Sequence, residues 1–167
     1  MIAALRVLLL VGILGGLDTF YYHEWKLRLP ETPSARRELR LHAARDFAYA
    51  VLFGSLAWIS WRGLWVWPFA AILLFEIVVT LTDFIEEDRT RRLPPGERVM
   101  HAVIGIAYGV FVALLYPSAA QWAGLASGFG RADYGWVSWM LTLFACGVFV
   151  SGIRDLSASS NLRRRGM

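Results

Sequence analysis

The chain has 167 residues, of which 57% are apolar and only 18% are charged, and its formal net charge is +4. This length allows about one domain. The composition excludes a disordered chain and argues against a water-soluble domain, since soluble proteins carry about 25% charged residues. The single cysteine, Cys146, excludes an intramolecular disulfide. We expect no nucleic-acid partner, because the basic residues stand in blocks between apolar runs, a pattern typical of contact with anionic lipid headgroups.

Five apolar segments follow one another along the chain, and each is a candidate membrane span. They cover residues 2–22, 47–61, 64–85, 99–116 and 136–153. A helix needs about 20 mostly apolar residues to cross the hydrocarbon core. The second segment reaches this length because Thr32 and Pro33 predict a helix start well before it. The sequence lacks the alternation of apolar and polar residues that is typical of strands in a membrane barrel. It therefore predicts an all-α integral membrane bundle of about five transmembrane helices.

The basic residues predict the direction of insertion. Fourteen of the 17 Lys and Arg residues fall on one side, between 26 and 45, between 89 and 98, and from 154 onward. By the positive-inside rule the N-terminus then lies outside and the C-terminus in the cytoplasm. Seven of the eight tryptophans fall at the predicted outer ends, as an aromatic belt does. We therefore expect a transmembrane helical domain at 1–153 and a basic cytoplasmic tail at 154–167, in a bacterial-type inner (plasma) membrane.

Groups able to bind a metal ion or move a proton are concentrated at the cytoplasmic ends of these helices. Of the 13 Asp and Glu residues only Asp133 falls on the outer side, and all three histidines fall on the inner side. Residues four apart share one face of a helix, and several helices carry such polar pairs. The predicted metal ligands are Asp18, His42, Asp46, Asp83, Glu87, Glu97 and His101.

Carboxylates and imidazoles from four helices can hold two metal ions between them. The arrangement resembles the membrane-bound di-iron carboxylate proteins, of which the alternative oxidases are one example. The resemblance covers the four-helix architecture alone. The sequence departs from the class by carrying His42-x-x-x-Asp46 and Glu97-x-x-x-His101 in place of paired Glu-x-x-His. It implies a metalloenzyme whose active face is cytoplasmic. Such an enzyme hydroxylates or desaturates a membrane lipid or another hydrophobic substrate, with electrons from a separate reductase. The two metal ions would be iron, since carboxylate-rich sites suit iron better than copper, with zinc as the alternative.

Glu76 and Tyr108 lie deeper, near the predicted middle of the bilayer. An acid there costs ~2.5–3.5 kcal/mol on insertion scales, so it is a candidate for function by default. We expect both residues to act in catalysis, with Glu76 as a proton relay or a third metal ligand. The structural alternative is a hydrogen bond between protonated Glu76 and Tyr108.

Other functions fit the same residues. A single zinc ion held by His42, Asp83 and His101 would suit a lipid hydrolase. In a non-enzymatic accessory subunit or a small transporter, the acids and arginines would instead hold the bundle together or bind a partner. Gly105-x-x-x-Gly109 has the small-residue spacing of helix contacts, which also allows a homo-oligomer.

Overall fold

The computed structural model describes residues 1–165, with side chains through residue 162. Five long helices make up most of this part of the chain. They are α1 (Ile2–Asp18), α2 (Arg36–Trp58), α3 (Val66–Thr90), α4 (Pro95–Ala123) and α5 (Trp136–Arg165). A π-helix, Thr19–Lys26, extends α1, and short 3-10 turns, Leu29–Glu31 and Pro33–Ala35, lead into α2.

Two short strands close one end of the bundle. β1 (Ile59–Arg62) follows α2, β2 (Gly128–Arg131) follows α4, and the two pair antiparallel. The helices therefore run alternately toward and away from this strand end. The opposite end, which we call the polar end, holds the carboxyl ends of α1, α3 and α5 and the amino ends of α2 and α4.

The prediction of an all-α membrane protein is confirmed. Four helical stretches are long and apolar enough to cross a membrane, namely Ile2–Lys26, Gly63–Thr90, Pro95–Ala123 and Trp136–Leu162. Large apolar side chains such as Leu74, Ile106 and Leu143 are more than 60% exposed on their outer faces, as expected for side chains in contact with lipid. The chain is an integral membrane protein. α2 packs against α3 and α5, and its predicted span at 47–61 stays a prediction.

The second helix begins later than the sequence predicts. The expectation that Thr32 caps a helix running on from Pro33 is wrong, because Pro33–Ala35 is a 3-10 turn and α2 begins at Arg36. Thr32 makes no capping bond to the helix. Its hydroxyl instead donates to the carbonyl groups of Leu27 and Arg28, at 3.5 and 3.3 Å.

Helix α5 passes through the predicted boundary at residue 153 without a break and continues to Arg165. Several contacts tie this extension to the bundle, and two of them lie near its end. The Ser159 hydroxyl donates to the Arg36 carbonyl at 3.0 Å. Leu162 packs with Leu29 and Leu39 in a small apolar core separate from the main one. The start of the predicted tail is thus helical and packs against the beginning of α2 and the segment before it at the polar end.

Candidate functional site

Charged and imidazole side chains from four helical segments converge inside the polar end. Eight of them are buried, with at most 6% of each residue exposed, and two arginines are partly buried beside them. We call these ten residues the buried charge cluster: Asp18, His23, Glu38, His42, Arg45, Asp83, Glu87, Arg91, Glu97 and His101. The polar faces that the sequence assigns to separate helices thus face one another.

His101 on α4 lies between two carboxylates. Its Nε2 is 3.1 Å from Asp18 Oδ2, and its Nδ1 is 3.4 Å from Glu87 Oε2. The ring stacks on Phe84, with centroids 5.2 Å apart. One imidazole therefore links the end of α1 to the end of α3.

His23 is a member of the cluster that the predicted ligand set lacks. Its Nε2 is 3.4 Å from Asp18 Oδ2 and 3.6 Å from Glu97 Oε1, and its ring stacks on His42 at 4.5 Å. The reason for the omission is local. An α-helix places Tyr22 on the same face as Asp18, but in a π-helix residues five apart are bonded neighbours. The π-helix therefore aligns His23 with Asp18.

His42 and Arg45 on α2 both contact Asp83 on α3. His42 Nε2 and Arg45 Nη1 each lie 3.1 Å from Asp83 Oδ2. On the other side of the His42 ring, Nδ1 is 3.9 Å from Asp155 Oδ2 on α5. These contacts hold α2 against both of its neighbours.

Arg91 lies in the connection between α3 and α4 and points back into the cluster. Its guanidinium donates to Glu38 at 2.8 Å, to Glu97 at 2.7 and 2.9 Å, and to Glu87 at 3.3 Å. Burial acts to lower the pKa of Arg91, but hydrogen bonds and the charges of Glu97 and Glu38 raise that pKa above its usual value. Arg91 is therefore a permanent cation that ties three helices together.

Three other predicted site residues lie outside the cluster. Asp46 is turned toward α5, where its Cβ lies against Gly152. Glu76 accepts a hydrogen bond from Thr80 at 2.8 Å, and the Tyr108 hydroxyl donates to the Leu73 carbonyl at 3.5 Å. Of the seven predicted metal ligands, the structure thus brings six together and leaves Asp46 at the edge, while Glu76 and Tyr108 lie deeper in the bundle.

Two sets of potential ligand atoms lie within the cluster. His23, Glu87, Glu97 and His101 each offer one atom within 4.8 Å of the others, and Glu38, His42 and Glu87 form a second such group. Glu87 belongs to both. The predicted ligand set lacks His23 and also Glu38, which lies on the first turn of α2. The signal that could have found Glu38 was its spacing of four from His42.

The cluster carries more negative charge than its arginines balance. Five buried carboxylates face two guanidinium groups, so with neutral imidazoles three negative charges stay uncompensated. Buried charges are costly unless they are paired. A cation therefore has a strong electrostatic reason to enter this site, whether it is a proton, a metal ion or an ammonium group.

Comparison with known proteins finds a partial similarity to a transporter. No family model matches the chain, and no solved structure matches it significantly. The chain is 34% identical over 118 residues to the L-methionine/branched-chain amino acid exporter YjeH of Escherichia coli (strain K12). The similarity covers 61% of this chain and 26% of the exporter, so the chain spans about a quarter of the length of the curated relative that it matches.

This similarity overturns the enzyme prediction. The resemblance to the membrane-bound di-iron carboxylate proteins is wrong, and so is the predicted oxidation of a lipid-soluble substrate, because the relative is an amino acid exporter. The physical reason for the error is that ionisable groups on membrane helices mark substrate and ion pathways as well as enzyme sites. The small-transporter alternative agrees better with the comparison, while the metal ions and their ligands stay predictions.

Proposed function

We propose that this chain acts in the transport of a small amino acid across the membrane. The observation that carries the proposal is the similarity to the amino acid exporter over 61% of the chain. Because the chain spans about a quarter of that exporter, the amino acid substrate is part of the proposal.

The chemistry of the cluster supports this class of substrate. An amino acid carries an ammonium and a carboxylate group, and the cluster offers partners for both. Carboxylates such as Glu87 suit the ammonium group, and the planar guanidinium of Arg91 suits a carboxylate in a bidentate contact. In the structure these groups bind one another. A substrate would therefore bind by replacing the contacts between Arg91 and the carboxylates with contacts to its own ammonium and carboxylate groups.

Because the charged groups of the cluster bind one another, the cluster would have to open to take a substrate. A cavity of about 300 Å³ lies outside the cluster and is lined by Ser34, Arg36, Arg37 and Arg40. It sits at the polar end beside the start of α2, where its arginines would attract an anionic group. We propose this surface as the side from which the cluster is reached.

The orientation and location are part of the same proposal. The chain would lie in a bacterial inner membrane with its N-terminus outside, and the polar end would face the cytoplasm. The excess of basic residues supports this direction. Copies of the chain would assemble through faces such as Gly105-x-x-x-Gly109, where an added Cβ meets nothing within 4 Å of either glycine.

A flux assay with the purified full chain tests the proposal. Proteoliposomes are loaded with radiolabelled L-methionine or L-leucine, and efflux is compared with that from protein-free liposomes. Glu87→Gln is expected to slow efflux about tenfold or more, since a hydrogen bond to a charged group contributes ~1.5–3 kcal/mol. Glu31→Gln is the matched control, because Glu31 pairs with Arg28 on the surface. Efflux from folded wild-type chain at the protein-free rate would overturn the proposal.

A further inference from the structure

We propose that the polar end contains a binding site for one divalent transition-metal ion, with His23, Glu87, Glu97 and His101 as its four ligands. The site goes beyond the transport function and does not depend on it. The ligands come from the π-helix, from the last turns of α3 and from the first turns of α4. Two imidazole nitrogens with two carboxylate oxygens form a donor set that suits zinc.

The spacing of the donor atoms fits a coordination polyhedron. Glu87 Oε2 lies 3.4 Å from His101 Nδ1, and Glu97 Oε1 lies 3.6 Å from His23 Nε2. Zinc–nitrogen and zinc–oxygen bonds are ~2.0–2.2 Å long, so the ligand atoms of a tetrahedral site stand about 3.4 Å apart. These two distances match that value, and all four ligand atoms lie within 4.8 Å of one another, so side-chain movements that close the wider gaps would let an ion bind among them.

Three of the donor atoms have no hydrogen-bond partner among the described residues. They are His23 Nε2, Glu87 Oε2 and His101 Nδ1, all inside the protein. Most buried polar atoms are hydrogen-bonded, so an unpaired group of them needs an explanation. Each of these atoms lies within 4 Å of an atom of another proposed ligand, but the two atoms do not form a hydrogen bond. A metal ion between them would satisfy all three at once.

Neighbouring side chains orient two of the proposed ligands, as the residues around a metal site commonly do. The Asp18 carboxylate is bonded to His101 Nε2 at 3.1 Å, which leaves Nδ1 facing inward. A histidine that binds a metal ion commonly donates its other ring N–H to a carboxylate in this way. Arg91 fixes the orientation of Glu97 through its two short contacts.

The charge of the cluster supports a divalent ion. With the imidazoles neutral, as metal binding requires, five carboxylates against two guanidinium groups leave three negative charges, and a divalent cation offsets two of them. Glu87 also belongs to the neighbouring group with Glu38 and His42. A second ion would share this carboxylate.

A binding titration with the full chain in detergent tests the site. The purified protein is first stripped with a chelator and then titrated with Zn²⁺ alone, in competition with a chromogenic chelator. We expect about one Zn²⁺ per chain, and a loss of affinity of about a hundredfold or more in His23→Ala and in Glu97→Gln, since even second-layer changes cost 10–100-fold. Glu31→Gln is the control and is expected to bind as the wild type does.

A further variant separates loss of a ligand from loss of the fold. His23→Cys keeps a zinc ligand at the same position, so it is expected to bind Zn²⁺ far more tightly than His23→Ala does. Co²⁺ should give a visible absorption band in the wild type that changes in His23→Cys and disappears in His23→Ala. Folded wild-type chain that takes up no stoichiometric Zn²⁺, or folded His23→Ala with wild-type affinity, would overturn the site. Neither result affects the flux measurement, so failure of this inference is distinct from failure of the transport proposal.

Discussion

Replacing Arg91 by methionine is expected to destabilise the bundle strongly. The side chain of Arg91 is 15% exposed, while those of Glu38, Glu87 and Glu97 are fully buried. Methionine fills much of the same volume but carries no charge. The change therefore leaves three carboxylates from three helices inside the protein without their shared cation.

The size of the effect follows from these contacts. Breaking a buried ion pair by removing one partner costs about 3–5 kcal/mol, because the remaining charge stays buried and unpaired. A loss of that size lowers the unfolding temperature of a chain of this length by roughly 6–20 °C, at 2–4 °C for each kcal/mol. Arg91→Lys should fall between methionine and the wild type, since one ammonium cannot reproduce the forked contacts of a guanidinium.

Thermal unfolding in detergent, followed by circular dichroism, measures this effect. Arg92→Met is the matched control, because Arg92 is the next residue along the chain and is exposed. The double variant Arg91→Met with Glu38→Gln should recover part of the loss, since it leaves one buried charge fewer. If Arg91→Met unfolds within about 2 °C of Arg92→Met, less than the shift for 1 kcal/mol, Arg91 does not hold the cluster together and the reasoning fails.

The same unfolding assay checks two backbone positions. Gly152→Ala on α5 is expected to cost about 1–3 kcal/mol, because its Cβ would lie 3.3 Å from the Ala43 carbonyl oxygen of α2. Gly147→Ala, on the same helix with nothing within 4 Å of the new Cβ, is the control and should be neutral or slightly stabilising. Gly63→Ala is expected to destabilise by more than about 1 kcal/mol. Its φ is +57°, and the new Cβ would meet the backbone of Ser127. An unchanged unfolding temperature would show that neither the positive φ nor this contact requires glycine here.

Much of the cluster could be predicted because membrane helices constrain their polar residues. An ionisable group on an apolar helix faces the bundle interior, and residues four apart share a face. These two rules bring Asp83 and Glu87 on α3 and Glu97 and His101 on α4 into one place. The rules fail for Asp46. Its neighbour Arg45, not Asp46, contacts Asp83, and Asp46 lies against α5 instead.

Other members could not be found from an α-helical period. His23 reaches the site because the end of the first helix widens into a π-helix. Arg91 reaches it because the connection between α3 and α4 turns inward. Basic residues in connecting segments usually stay in solvent, so no pattern in the sequence marks this one as buried. Which basic residues neutralise the buried carboxylates is therefore decided by tertiary structure.

The function could not be predicted because one physical property serves several activities. The uncompensated negative charge of the cluster would favour metal ions in an enzyme, and it would equally favour the ammonium group of a substrate in a transporter. The two proposals share this charge, and Glu87 has a place in both of them. Zn²⁺ and an amino acid should then compete wherever both bind through Glu87. Inhibition of efflux by Zn²⁺ that is lost in His23→Ala would place the metal ligands on the path of the substrate. Inhibition that persists in His23→Ala would show that Zn²⁺ acts elsewhere on the protein.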